Sequence, residues 1–458
     1  MARQSTRPAL AELQAKLADP DYKVRKEAIR KMVRYYRTQA TAALFNILKD
    51  NNGYMRAYAA KMLAQAGDAH AVGPLLDALA DKHSLVRAQA ARAVYKLAPQ
   101  QAVTPLIALL TDESSRVQGI AANLLGQSGN SRSVPALIAC LTSAKVSAKG
   151  QVVYALGRLR DPRAIAPLFA LLETSGAESF AWYAVEALKM IGGEQAFQGL
   201  LLLVKDPKAL LPARTYAVHA LAGIRPSEAV PELLAALESG DDAIINPAIN
   251  ALANLGDSRA IAPLIALLNH KNEQHTLEAI YALGRMKATS AIEDVIPLLS
   301  STCEVIVAAA AYFLGKSQDQ RVVAPLINAL SDSDKENDFA LVRALGDLGY
   351  SDAFEALAQI VRKSSQSYLR MAAMEALSKL GDSRMVEILL EQLEQPVVDQ
   401  YYWYELNTII WILGRAGDAR AIKPLQMLMR QDCAQTYLQG SIRHALSNLG
   451  ATEEPLSV

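Results

Sequence analysis

Only three cysteines occur in 458 residues, and Cys140, Cys303 and Cys433 lie too far apart to suggest a disulfide framework or a metal-binding spacing. A reducing, cytoplasmic setting is expected. No apolar run approaches the roughly 20 residues that a membrane-spanning helix needs, so no membrane partner is expected. The opening residues, MARQSTRPALAELQ, lack the apolar core of a secretory signal. Aromatics make up only 6% of the chain, so the core must be built from Ala, Leu and Ile within the 51% that is apolar. A surplus of one charge is also missing, since 47 Lys and Arg face 46 Asp and Glu, and there is no basic tail. Both facts weigh against nucleic acid as the principal partner.

Catalytic motifs are scarce as well. The string LGKS (Leu314 to Ser317) looks like the end of a phosphate-binding loop, but the glycine needed five residues before Gly315 is Ala310. GQSGN (Gly126 to Asn130) is not a nucleophile elbow. His270 and His275 flank a predicted loop without a third metal ligand nearby. His219 and His444 fall on an exposed face, and no carboxylate pair stands out as an acid/base couple. Catalytic residues and a metal site are therefore not assigned, and a non-enzymatic role is favoured.

What is present instead is repetition. A unit of about 31 residues recurs through the chain, most clearly as GDSRAIAPLIALL (Gly256 to Leu268), with variants at Gly67 to Leu79, Arg160 to Leu172 and Gly417 to Met429. Units anchored on the proline of this string, or on its replacement, stand at Glu12, Ala43, Pro74, Pro105, Pro135, Pro167, Gly199, Pro231, Pro263, Asp294, Pro325, Ala356, Ile388 and Pro424. The fourteen anchors are 30 to 32 residues apart until the last interval, which is 36. Each unit reads as two helices: a first starting near the anchor, where proline is tolerated, and a second of the form VRxxAAxALGxLG, as in Val86 to Leu97. One column of the second helix is Ala in ten of the fourteen units (Ala28, Ala59 and Ala90 among them), which lets neighbouring helices approach closely. The expected architecture is an all-α superhelix of about fourteen helical pairs. It would form one solenoid domain over 1–450 with a tail at 451–458, and loose ends at 1–7 and in that tail.

The strings GDxRAIxPLxxLL and VRxxAAxALG resemble HEAT repeats, in particular the HEAT-like repeats of the phycobilisome (bilin) lyase type, and they cover nearly the whole chain. The resemblance implies that a repeated Arg at the start of the second helix ties units together. It stands here at Arg25, Arg56, Arg87, Arg214 and Arg370, and is replaced elsewhere, by Gln118 and Ala181 for example. The resemblance also implies that the second helices line the concave side. The chain departs from the aromatic-rich RYYAAWWLG string of the lyases, its nearest match being RAYAAKMLAQ (Arg56 to Gln65).

Two columns of the second helix, four residues apart, stay polar and must share one face. They carry Arg30, Lys61, Arg92, Tyr154, Tyr281, Tyr312, Arg343 and Trp411 in the first, and Arg34, Lys96, Arg158, Arg285, Lys316 and Arg415 in the second. Over all fourteen units the two columns hold eleven Lys or Arg against three acids, Glu186, Asp347 and Glu375. That is +8 on a chain whose total is +1, leaving −7 for the remainder. A basic face with interleaved aromatics attracts anionic partners. The competing reading is of helix-favouring Lys and Arg on a plain solvated surface.

The longer last interval places an insertion around Val397 to Tyr404, with Tyr401, Tyr402, Trp403 and Tyr404 in succession. Four consecutive aromatics cannot all point into one core, so this stretch is a candidate second contact patch. A weaker cluster lies at Phe180, Trp182 and Tyr183 beside Glu186. The favoured reading is a scaffold or adaptor whose basic face holds an acidic protein segment, with no cofactor. Nucleic acid is a variant of that reading. The lyase resemblance implies an alternative in which an open-chain tetrapyrrole, a bilin, lies among Tyr154, Arg158, Trp182, Tyr183 and Glu186, or among Tyr281, Arg285, Tyr312 and Lys316.

Overall fold

A computed structural model describes residues 8–174, 177–330, 338–394, 402–430 and 436–451. Among these residues the chain is helical throughout without a strand, and its twenty-eight α-helices form fourteen antiparallel pairs. This is the expected α-α superhelical architecture, arranged in two compact units, Met1–Glu232 and Leu233–Val458. The loose ends expected at 1–7 and 451–458 lie, apart from Ala451, outside the described residues.

The repeated GDxR string and its variants explain how five of the pairs begin. In Asp257–Arg259 the aspartate Oδ1 accepts the backbone N–H of Arg259 at 3.0 Å, capping a short 3-10 turn (Ser258–Ala260) that leads into Ile261–Ala266. The Arg259 guanidinium closes back on the same carboxylate at 2.8 and 3.0 Å. These bonds from Arg259 lower the Asp257 pKa to about 2. Asp161, Asp319, Asp382 and Asp418 repeat the arrangement. The first helix starts near the anchor as expected, Pro263 being the third residue of Ile261–Ala266 and Pro135 the second of Val134–Thr142.

Stacking rests on the second helices. The Ala column is buried, with Ala59, Ala90, Ala121, Ala217 and Ala248 fully enclosed. A second small residue matters more. The glycine of ALG packs on the alanine of the next second helix so tightly that a Cβ on Gly157 would lie 2.8 Å from Ala187 Cα, and one on Gly315 would lie 2.8 Å from Ala344 Cα. Gly126, Gly346 and Gly414 are equally close to their neighbours. At Gly284 the facing residue is Phe313 instead of alanine, and the nearest atom recedes to 3.6 Å.

Four of the five arginines at the start of the second helices, Arg25, Arg56, Arg87 and Arg370, tie repeats together, whereas Arg214 donates to the Val204 carbonyl of its own pair. Arg56 donates to both oxygens of Asp81 at 2.7 Å and to the Asp50 carbonyl at 2.8 Å. Arg87 repeats this one unit on, with Asp112 at 2.7 and 2.8 Å and the Asp81 carbonyl at 2.8 Å. Arg25 reaches Asp50, and Arg370 pairs with Glu405 while donating to the Ser364 carbonyl. Asp50, Asp81 and Asp112 thus serve one arginine with the carboxylate and the next unit's donor with the carbonyl. Gln118 is a neutral substitute. Its amide donates to the Asp112 and Lys145 carbonyls, and its oxygen accepts from Ser147 and Ala148 N–H. The hydrogen bond from Arg56 holds the Asp81 carboxyl below its ordinary range against partial burial.

Candidate functional site

The two polar columns emerge as the solvent face of the second helices. A ladder arginine and the first-column residue five positions later, such as Arg87 and Arg92, are rotated about 140° apart around the helix. The first therefore turns into the stack and the second out of it. Arg30, Arg34, Lys61, Arg92, Lys96, Tyr154 and Arg158 are all exposed in the first unit. Tyr281, Arg285, Tyr312, Lys316, Arg343, Trp411 and Arg415 are exposed in the second.

Most of these cations are uncompensated. Of the eleven Lys and Arg in the columns, Arg30 pairs with Glu27, while Lys316 and Lys379 share Asp347 at 2.8 and 2.7 Å. The other eight, Arg34, Lys61, Arg92, Lys96, Arg158, Arg285, Arg343 and Arg415, have no carboxylate within ion-pair distance among the described residues. Arg285 instead donates to the Asn250 amide oxygen at 2.7 Å. Three cations lie over aromatic faces, Arg34 above Tyr35 at 5.3 Å, Lys316 above Tyr312 at 5.8 Å and Arg415 above Trp411 at 4.6 Å. His219 shares the face, and its pKa is lowered by desolvation among its neighbours and by the nearby Lys189 ammonium.

The second unit gathers several of these residues around a cleft of about 350 Å³, rimmed by Tyr281, Tyr312 and Phe339, with Arg343 and Asp347 along its wall. Partial burial opposes the charge of Asp347, but the bonds from Lys316 and Lys379 prevail and hold its carboxyl below the ordinary range.

The six stretches that match the HEAT-repeat family model are 10–94, 72–148, 135–211, 202–276, 261–334 and 323–401, and together they run from residue 10 to residue 401. The chain belongs to the HEAT-repeat family. No match was found among curated protein sequences. Among solved structures, this HEAT-repeat chain is similar to Kap121p (TM-score 0.63, 13% identity, 96% of this chain and 56% of that one). It is also similar to Kap95p in a structure with RanGDP (TM-score 0.55, 14% identity, 96% and 66%) and to importin beta (TM-score 0.50, 15% identity, 98% and 73%). The chain therefore spans little more than half the length of Kap121p. At these identities the likeness is one of fold.

The sequence reading missed Phe339, which extends the exposed face of its HEAT-repeat helix back one turn from Arg343. The spacing Phe339, Arg343, Asp347 carried that signal. In the second contact patch, Tyr401 and the Tyr402 side chain lie outside the described residues. Trp403 is half-buried and Tyr404 emerges, 67% exposed. Trp182 and Tyr183 are exposed and meet edge to face at 5.0 Å, near a half-buried Glu186 paired with Lys189. His270 and His275 lie 4.8 Å apart, but His275 is buried against Asn246 at 2.7 Å, and the described residues hold no metal-ligating cluster. No helix among them is long and apolar enough to cross a membrane.

Proposed function

We propose that the protein is a non-enzymatic scaffold that holds an acidic protein segment along the solvent face of its second helices. One observation carries this reading: eight of the eleven face cations lack a carboxylate partner, whereas Arg56 and Arg87 on the inner side of the same helices are fully paired. Positive charge that the chain itself leaves uncompensated raises the local concentration of anions and steers them to the face. Solenoids of this fold serve as protein-binding surfaces in Kap121p, solved bound to Pho4p and to RanGTP. That precedent favours a protein over a polynucleotide.

The aromatics beside cations, Tyr312 with Lys316 and Trp411 with Arg415, also suit a planar ligand with carboxylates. A lyase-like, bilin-binding role is therefore the second reading, and one assay separates the two. A fluorescent polyglutamate peptide, a single-stranded oligonucleotide of equal charge and an open-chain tetrapyrrole are each titrated into wild type. The same titrations are made with the variant Arg92→Glu, Lys96→Glu, Arg285→Glu, Arg343→Glu. The expected result is peptide binding that weakens steeply with salt and is lost in the variant. Peptide binding that survives the four reversals, or is indifferent to salt, refutes the proposal. A tighter oligonucleotide, or a shift in tetrapyrrole absorption, transfers it to the competing reading.

A further inference from the structure

We infer that the cleft in the second unit is an anchor pocket for one aromatic side chain of the acidic segment, an inference that rests on the proposed function and makes its partner specific. Three features point to this occupant. First, the rim is aromatic at a place where aromatics are otherwise scarce. Tyr281, Tyr312 and Phe339 come from three successive second helices and are all exposed, Tyr312 at 56%. Second, the floor is made of Ala308, Gly315, Ala340 and Ala344, small residues that leave depth between the rings. Gly315, which packs directly against the Ala344 backbone, adds no side chain to that floor. Third, the surroundings carry a net positive charge, since the one acid on the wall, Asp347, is bonded by both Lys316 and Lys379. Arg343 lines the cleft with no carboxylate partner, and Arg285 is engaged only by the neutral Asn250.

A volume of about 350 Å³ falls at the lower end of small-molecule sites, near 300–1,000 Å³, and suits one large side chain rather than an extended ligand. Aromatic rings prefer edge-to-face or offset contact with other rings, which a rim drawn from three helices offers. Carboxylates flanking the inserted ring then lie within reach of Arg343 and Arg285. The favoured partner is therefore an acidic peptide carrying a Trp, Tyr or Phe among its carboxylates, with the ring as the central hot spot.

The test uses two fluorescein-labelled glutamate-rich peptides, identical except for one central Trp or Ala, followed by anisotropy at low salt with the full chain. Wild type should bind the Trp peptide at least tenfold more tightly. Tyr312→Ala and Phe339→Ala should each abolish that preference, read as the ratio of the two peptides' affinities for the same variant. Tyr312→Phe should retain the preference, and circular dichroism should find all three variants folded, since both positions are exposed. Equal affinity for the two peptides overturns the anchor pocket and leaves the acidic-segment reading intact. A preference that survives both alanine variants places the anchor elsewhere and overturns it too. Failure of both peptides to bind wild type at low salt refutes the broader reading, and the pocket with it.

Discussion

Arg87 and Arg92 lie five residues apart on the Ser84–Leu97 helix, yet the structure assigns them opposite costs of removal. Arg87 is 6% exposed and makes two parallel bonds to Asp112 and one to the Asp81 carbonyl. Its further bond to Glu113 involves a carboxylate open to water and adds little. Its pKa is raised above the ordinary guanidinium value, chiefly by the hydrogen bond to Asp112. Truncation to alanine leaves the enclosed Asp112 carboxylate with the Ser114 N–H as its remaining donor among the described residues and strands the Asp81 carbonyl. Losing one partner of a buried pair costs about 3–5 kcal/mol. Because the ladder runs through loops that water can re-enter, the lower end applies, and Arg87→Ala should cost about 3 kcal/mol. Arg92 is exposed and unpaired, so Arg92→Ala should stay within about 0.5 kcal/mol of wild type.

The assay needs care, because a stack of nearest-neighbour repeats need not unfold as one cooperative body. Urea unfolding followed by far-ultraviolet circular dichroism gives the shift for the whole chain. Hydrogen exchange of the amides in Ser84–Leu97 reports the local opening directly. For Arg87→Ala, the local opening free energy should fall by about the same 3 kcal/mol, with Arg92→Ala indistinguishable from wild type. Equal shifts for the two variants, or a loss below 1 kcal/mol for Arg87→Ala, would falsify the sorting of cations into structural and free.

Gly315→Ala should destabilise the second unit by about 1–3 kcal/mol, because its Cβ meets the Ala344 backbone. Gly284→Ala has room against Phe313 and should be neutral or stabilising by up to about 1 kcal/mol through helix propensity, as read from paired urea midpoints. The depressed carboxyl of Asp347 makes its stabilising contribution fully present above the unfolded value near 4, and lost as pH falls through the lower folded value. The stability difference between wild type and Asp347→Asn should thus be constant above about pH 5 and vanish at strongly acid pH, and a difference that persists there contradicts the Lys316–Asp347–Lys379 bridge.

The legible part of this chain is what repeats. Fourteen anchors give the pairs, and the Ala column gives the buried seam. The exposed columns follow from helical periodicity alone, since a position that stays polar through successive units has no place in the stack. Partners that recur at a fixed offset but lie in loops were less visible. Asp81 and Asp112 stand 25 residues beyond their arginines and look, in sequence, like ordinary loop acids. The glycine of ALG was quoted as part of a string, but its purpose depends on a distance to the next repeat that no spacing conveys. The cleft was the least legible feature. It needs Tyr281, Tyr312 and Phe339 from three repeats, over a floor of small residues that no single repeat reveals.

The near-neutral composition hides a division of labour that residue type cannot express. Arginine serves three ends here. It clamps loop carboxylates between repeats at Arg56 and Arg87, it caps its own aspartate in the GDxR turns, and it stands free on the outer face at Arg92, Arg158 and Arg343. The first two uses match each arginine with an acid and leave the charge balance unchanged, so the +8 of the face is offset by the −7 carried elsewhere in the chain. A chain with one net charge can therefore present a strongly cationic surface without any basic segment. Ionic strength then becomes the discriminating variable. The clamps are shielded from salt by burial, whereas the face is not, so raising salt should release an acidic partner well before it loosens the stack that presents the face.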